Sequence, residues 1–271
     1  MEQYGKKHMR SKLPIEEKES YRWLSHRKDS NELIPNNTHR IHIADRECGI
    51  YDFLNMVRSE KEDYVIRMRH NRKLDIDGQK IKETMNRARQ RYKLMVEVGR
   101  GNRRKPRSAE LSVKYERLSI LSPGKKNETT DVTVIHAKEI APPKNEPAIE
   151  WYLLTSLEIK DYQGASNCLK YYAYRWMIER LHYVLKSGCK IEELQLRHAS
   201  RLENAISVFM IIAWRILWTL HFSRIKPTLR YDYLISKEEL TVLKIATKKK
   251  FKKELGDNPS VEEIVYLIGR L

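Results

Sequence analysis

Residues 166–188, SNCLKYYAYRWMIERLHYVLKSG, read as one helix whose polar face decides how the rest of the chain is understood. Ser166 is a suitable cap for its start, and Gly188 suits the left-handed turn that ends many helices. Tyr172, Arg175, Glu179, Tyr183 and Lys186 fall within roughly 40° of Glu179 at about 100° per residue. One face would thus carry a lone carboxylate among two cations and two phenols, with Trp176, Met177, Leu181, Val184 and Leu185 supplying apolar surface around it. A solvated face is the alternative reading. Such a face commonly alternates Glu with Lys at four-residue spacing, which this one does not. A single Glu bracketed by cations and aromatics suits a carboxylate that holds a metal, with neighbours that grip phosphates.

The spacing Tyr172-x2-Arg175-x3-Glu179-x6-Lys186 resembles the Tyr-Arg-Glu-Lys signature of bacterial insertion-sequence DDE transposases. Among them is the cut-and-paste enzyme of the kanamycin-resistance composite transposon. Three further segments carry the likeness in the same order. Glu17-Lys18-Glu19-Ser20 with Trp23-Leu24 has a counterpart in the family. Asp45-Arg46-Glu47 followed by Ile50-Tyr51 is similar to its second-Asp segment, and Trp151-Tyr152-Leu153-Leu154-Thr155 to the strand before its Glu helix. The likeness runs from about residue 15 to the C-terminus.

The resemblance implies an α/β (α+β) fold: an RNase H-like catalytic core, interrupted by an antiparallel β-rich insertion and followed by C-terminal helices. It implies Asp45 and Glu179 as catalytic carboxylates and ligands of Mg²⁺, with Mn²⁺ as substitute. Tyr172, Arg175, Lys186, Arg67 and Arg69 become DNA-binding residues. Trp151 matches an aromatic that stacks on a base flipped out of the duplex, while a strand Trp in the core is the competing reading. The implied partners are double-stranded DNA at transposon ends and a second transposase chain in a dimer. No membrane partner is implied, and the location would be cytoplasmic.

Composition agrees with a polyanionic partner. The 271 residues carry 53 Lys and Arg against 36 Asp and Glu, a net charge of +17. No lipidation motif or basic amphipathic anchor favours a membrane over nucleic acid. Cys48, Cys168 and Cys189 form neither a disulfide framework nor a zinc spacing. The N-terminus, MEQYGKKHMRSK, lacks an apolar signal region. Residues 205–220 are the most apolar stretch and read as a core helix, with Arg215 inside it.

Along the chain, residues 1–14 read as a loose basic N-terminus and 15–70 as part of the core. Within the latter, 14–24 are expected as a helix and 26–38 as a polar loop. Residues 40–45 and 64–67 read as strands around a short helix, a βαβ unit with Asp45 at a strand end, where α/β sheets place ligands. An N-cap role for Asp45 is compatible with that. Residues 71–148 are the β-rich insertion, with a basic helix at 80–91 and strands at 92–98, 110–120 and 131–137. Its loops at 99–107 and 122–127 are rich in cations, either solvated or set against backbone phosphates. Residues 149–225 complete the core, and 226–271 form C-terminal basic helices. Ser200-x-x-Glu203 and Ser260-x-x-Glu263 read as capping boxes.

The family's first catalytic Asp has no evident equivalent. Asp29 is the sole Asp before Asp45, and HRKDSNEL is not a strand sequence. The expectation is a transposase truncated at the N-terminus, and at the C-terminus as well, whose activity alone is in doubt. The alternative is a catalytically inactive DNA-binding remnant that interferes with a full-length relative. A basic structural or RNA-binding protein with a chance motif is the third reading.

Overall fold

The computed structural model describes residues 13–76, 78–98, 107–123, 127–252 and 254–271. Most of the expected basic N-terminus, most of the 99–107 loop and half of the 122–127 loop lie outside the described residues. The chain divides into two units, residues 1–175 and 176–271.

The first unit is built on one six-stranded sheet of order β1-β2-β6-β5-β4-β3. Its strands are β1 (Arg40–Ala44), β2 (Glu62–Arg67), β3 (Tyr92–Val98), β4 (Arg107–Leu121), β5 (Thr129–Glu139) and β6 (Glu150–Thr155). β1 and β2 pair in parallel and every other pairing is antiparallel. The expected βαβ unit is therefore present, although its helix, α2 (Tyr51–Asn55), is little more than one turn. Residues 71–148, expected as an insertion, contribute β3, β4 and β5 to the same sheet through the β5–β6 pairing.

Side chains alternate across a strand, so the sheet supports two cores. On one face Ile66, Ile120, Val134 and Leu154 pack with Phe53 and Leu54 of α2 and with Ile81 and Met85 of α3 (Ile81–Arg87). On the other, Val65, Val113, Ile135 and Leu153 pack with Cys168 and Leu169 of α4 (Tyr162–Tyr174).

The helix expected over 14–24 is displaced. A 3₁₀ turn covers Ile15–Glu17, and α1 runs Tyr21–Leu33, through residues expected as a loop. Apolar periodicity could not reveal α1, because a buried ion pair anchors it. Arg27, 2 % exposed, donates to Glu62 at 2.6 Å and to the Phe53 carbonyl at 3.0 Å. Burial pushes the Glu62 carboxyl up. Hydrogen bonds from Arg27, Asn31 and the Ser59 N–H outweigh that and hold it down at about 2.

The single helix expected over 166–188 is interrupted. α4 begins earlier, capped by Asp161, whose carboxylate accepts the Gly164 N–H at 2.8 Å. The helical bonding breaks at Arg175. It resumes as α5 (Trp176–Tyr183) and ends in a π-helical turn, Val184–Gly188. The left-handed residue after it is Lys190, φ 52°, and not Gly188.

The second unit continues with α6 (Ala199–Ile225), α7 (Lys237–Phe251) and α8 (Val261–Ile268). Tyr231, Leu240, Leu243 and Ile264 close a small core. The Ser260–Glu263 capping box forms, and so does one at Ser236–Glu239. The one read at Ser200 does not: α6 starts two residues earlier, after His198, which leaves Ser200 inside the first turn. Burial all round α6 is also not found, since Ala213 is its one buried residue. α6 is long and apolar enough to cross a membrane by length and composition. Arg215 within it pairs with Glu239 at 2.8 Å.

Candidate nucleic-acid and metal site

The parallel β1–β2 pair sets the site. Ile41 and Ile43 pack on the α4 side of the sheet and Ala44 on the other, so alternation puts Asp45 on the α4 side. Asp45 remains extended, φ −82° and ψ −164°, and caps a 3₁₀ turn, Arg46–Cys48. Its Oδ1 accepts the Glu47 N–H at 3.0 Å. The N-cap role and the strand-end position thus coexist, with Oδ2 outside that bond. Glu47 is engaged separately by Arg22 at 2.8 Å.

Register brings further candidates to the same end of the sheet. Ala44 lies opposite Ile66, so the next step along the pair sets Asp45 beside Arg67. Arg67 in turn faces Leu153 on β6. The Met68 N–H donates to the Tyr152 carbonyl at 2.8 Å, which continues the pairing and aligns Arg69 with Trp151. Asp45, Arg67 and Trp151 therefore share one face and one end of the sheet. Arg67 donates to the Glu150 carbonyl at 3.4 Å and is half-buried, and Arg69 is exposed.

Trp151 is half-buried, its ring edge-on to Tyr172 at 5.7 Å. Tyr172 is 6 % exposed and belongs to the core beneath α4. This corrects the picture of five polar residues on one helix face: Tyr172 closes a core, Arg175 sits at the break, and Glu179, Tyr183 and Lys186 follow in the second unit. The alternation of small and apolar residues through Ala165, Cys168, Leu169 and Tyr172 is the pattern that could have marked the buried stripe of α4. Glu179 lies in the first turn of α5 and is exposed. Lys186 is exposed and pairs with Glu192 at 2.6 Å.

Asp45 offers the hard oxygen that Mg²⁺ takes, so the donor chemistry fits in kind. It does not fit in number. No group of three His, Cys, Asp or Glu side chains that could hold a metal occurs among the described residues. Asp29, the other Asp considered, lies on α1 and accepts a hydrogen bond from Ser25.

A mixed sheet with a carboxylate and a cation at neighbouring strand ends and helices over both faces defines a protein of the α+β class. The family model described as Transposase DDE domain matches residues 27–214, more than two thirds of the chain. The protein belongs to this transposase family.

Proposed function

We propose that this chain acts on transposon-end DNA as an insertion-sequence transposase of the Tyr-Arg-Glu-Lys branch, with Asp45 and Glu179 as its metal-holding carboxylates. The observation that carries this reading is Asp45 at the end of a parallel strand, in register with Arg67 and on one face with Trp151, within a DDE transposase domain. Bound divalent ions would activate the attacking oxygen and stabilise the leaving oxygen of a phosphodiester. Asp45 keeps one oxygen on the Glu47 N–H, which orients the carboxylate and leaves the other for a ligand. Arg67 and Arg69 neutralise backbone phosphates, and Arg175 and Lys186 extend that role along the signature segment. Trp151 presents an aromatic surface to an unstacked base.

Two carboxylates are fewer than a paired-ion site takes, and the described residues supply no cluster of three. We infer that the chain by itself binds duplex DNA without cutting it, and that cleavage needs a third carboxylate from another polypeptide. The test is a nicking assay on labelled transposon-end duplex with Mg²⁺ or Mn²⁺, run beside a salt titration of binding. Binding that weakens steeply with salt, no strand cleavage, and weaker binding in Arg175→Ala and Lys186→Ala are expected. Affinity and salt slope unchanged in both variants would remove the signature segment from the DNA interface. Efficient cleavage abolished by Glu179→Ala would show that Asp29 or Glu47 completes the site.

A further inference from the structure

On α7 the buried positions recur every three to four residues. Leu240 and Leu243 take the first two, and Thr247 takes the next place on the same stripe. A threonine inside a helix can return its hydroxyl to the carbonyl four residues back. Thr241 does so with Lys237 at 2.9 Å, and Thr219 with Arg215 at 2.7 Å. Thr247 is 1 % exposed, and its Oγ1 has no hydrogen-bond partner among the described residues. An unpaired buried hydroxyl is costly, so a polar atom kept at a core position calls for a reason other than packing.

Thr247 lines a cavity of about 410 Å³ bounded by α7, α8 and the loop that joins them. Phe251, Leu255 and Leu267 give it apolar walls. Arg270 closes one side. Its guanidinium lies over the Phe251 ring at 5.1 Å and over the Tyr266 ring at 5.3 Å, and it donates to the Tyr266 hydroxyl at 2.7 Å. Glu254, held by Lys248 at 2.7 Å, and Glu263, which accepts the Ser260 N–H at 2.9 Å, also line it, so the charged groups are of both signs. Apolar walls around one well-placed polar group, at this volume, are the usual make-up of a small-molecule pocket. Every lining residue follows residue 214, where the match to the transposase family ends.

We propose that this cavity binds a small neutral aromatic molecule with one hydrogen-bonding group, of the phenol or indole class. The ring lies against Phe251, Leu255 and Leu267, and its O–H or N–H donates to Thr247 Oγ1. Two requirements together define the class. A ligand without a polar group leaves Thr247 unpaired, and a charged one gains nothing from a lining that carries both signs. Bound there, the ligand braces the end of α7 against α8 and stabilises the helical unit. The site stands independently of the DNA reading above.

Calorimetric titration of the full chain with indole and with p-cresol tests the site, with benzoate as the charged counterpart. Either neutral probe should bind at one site with a dissociation constant of about 0.1 mM, in keeping with its size. Benzoate should bind more weakly. Thr247→Val keeps the shape and removes the hydroxyl. It should weaken indole binding by about threefold to tenfold. It should also raise the thermal midpoint of the free chain, because an unpaired buried hydroxyl gives way to a methyl group. A Cβ at Gly256 meets nothing within 4 Å, so Gly256→Leu adds bulk to the lining without a clash and should weaken binding in a folded chain. Ile211→Ala, on exposed α6, should leave binding unchanged. Indole affinity unaltered in Thr247→Val, or lost in Ile211→Ala, overturns the assignment by placing the probe elsewhere. A lower thermal midpoint in free Thr247→Val overturns it by giving the hydroxyl a structural partner. Absence of binding by both neutral probes at millimolar concentration, or benzoate binding as tightly as indole, overturns it as well.

Discussion

The two units dispose of their apolar residues in opposite ways. In the sheet unit each strand alternates, each face has helices over it, and residues such as Val65, Leu111, Ile135 and Leu153 are wholly buried. In the helical unit the longest element, α6, is apolar along most of its length and has one buried residue, with Trp214 at 57 % and Ile211 at 62 % exposure. Apolar content alone therefore does not fix burial. A strand is covered when its period of two matches two layers, whereas a helix apolar on all sides needs neighbours on all sides. The units also differ in polar anchoring. Deep ion pairs such as Arg27–Glu62 tie the first together, while the second relies on exposed pairs and helix caps.

Truncation tests sharpen this contrast most. Leu153→Ala should cost about 2–5 kcal/mol, because a fully buried leucine leaves a cavity between sheet and α4. Ile211→Ala should cost less than about 0.5 kcal/mol, as at other exposed sites. Urea unfolding of both variants measures the difference, and equal costs would show that α6 is covered in solution.

Acid should strike the sheet unit first. The Glu62 carboxyl is held below its ordinary value of 4.5, at about 2. Its stabilisation is therefore complete above about pH 4.5 and is lost as pH falls towards 2, an effect of order 3 kcal/mol at most. Glu62→Gln should remove much of that acid limb, read as thermal midpoint against pH. An unchanged slope between pH 5 and 2 would assign acid sensitivity to other carboxylates.

The smallest expected effect concerns the caps. Ser260→Ala removes the side chain that accepts the Glu263 N–H at 3.2 Å and should cost about 1 kcal/mol. Hydrogen exchange should locate that loss in α8, with the sheet unit unaffected.

Much of the first unit was legible in the residues. The β1–α2–β2 order follows from short apolar runs around a polar helix start, and Tyr92–Val98 reads as a strand at its true bounds. Asp45 at a strand end was readable because β1 is alternating and stops at an Asp that can cap the next turn. α1 was not readable, because one arginine and not an apolar stripe anchors it. The break at Arg175 escaped for a related reason: YYAYRWMIER has unbroken helix propensity, with no Pro or Gly to mark an end. Arg69 was named through the resemblance, but its nearness to Arg46 escaped, because the two lie far apart in sequence and only the close backbone approach at Gly49 joins them.

The sequence by itself determined what is local: strand periods, the serine capping box of α8, the charge excess, and the residue types of the signature segment. These depend on neighbours a few residues apart, whose geometry the backbone fixes. Only the tertiary structure decided that β3 to β5 extend the same sheet as β1, β2 and β6, that Tyr172 closes a core, and that Arg72 steadies the Asp45 turn. Those outcomes depend on which distant groups can share buried volume or complete a hydrogen bond. That is settled by the joint packing of the whole sheet and cannot be read from any one segment.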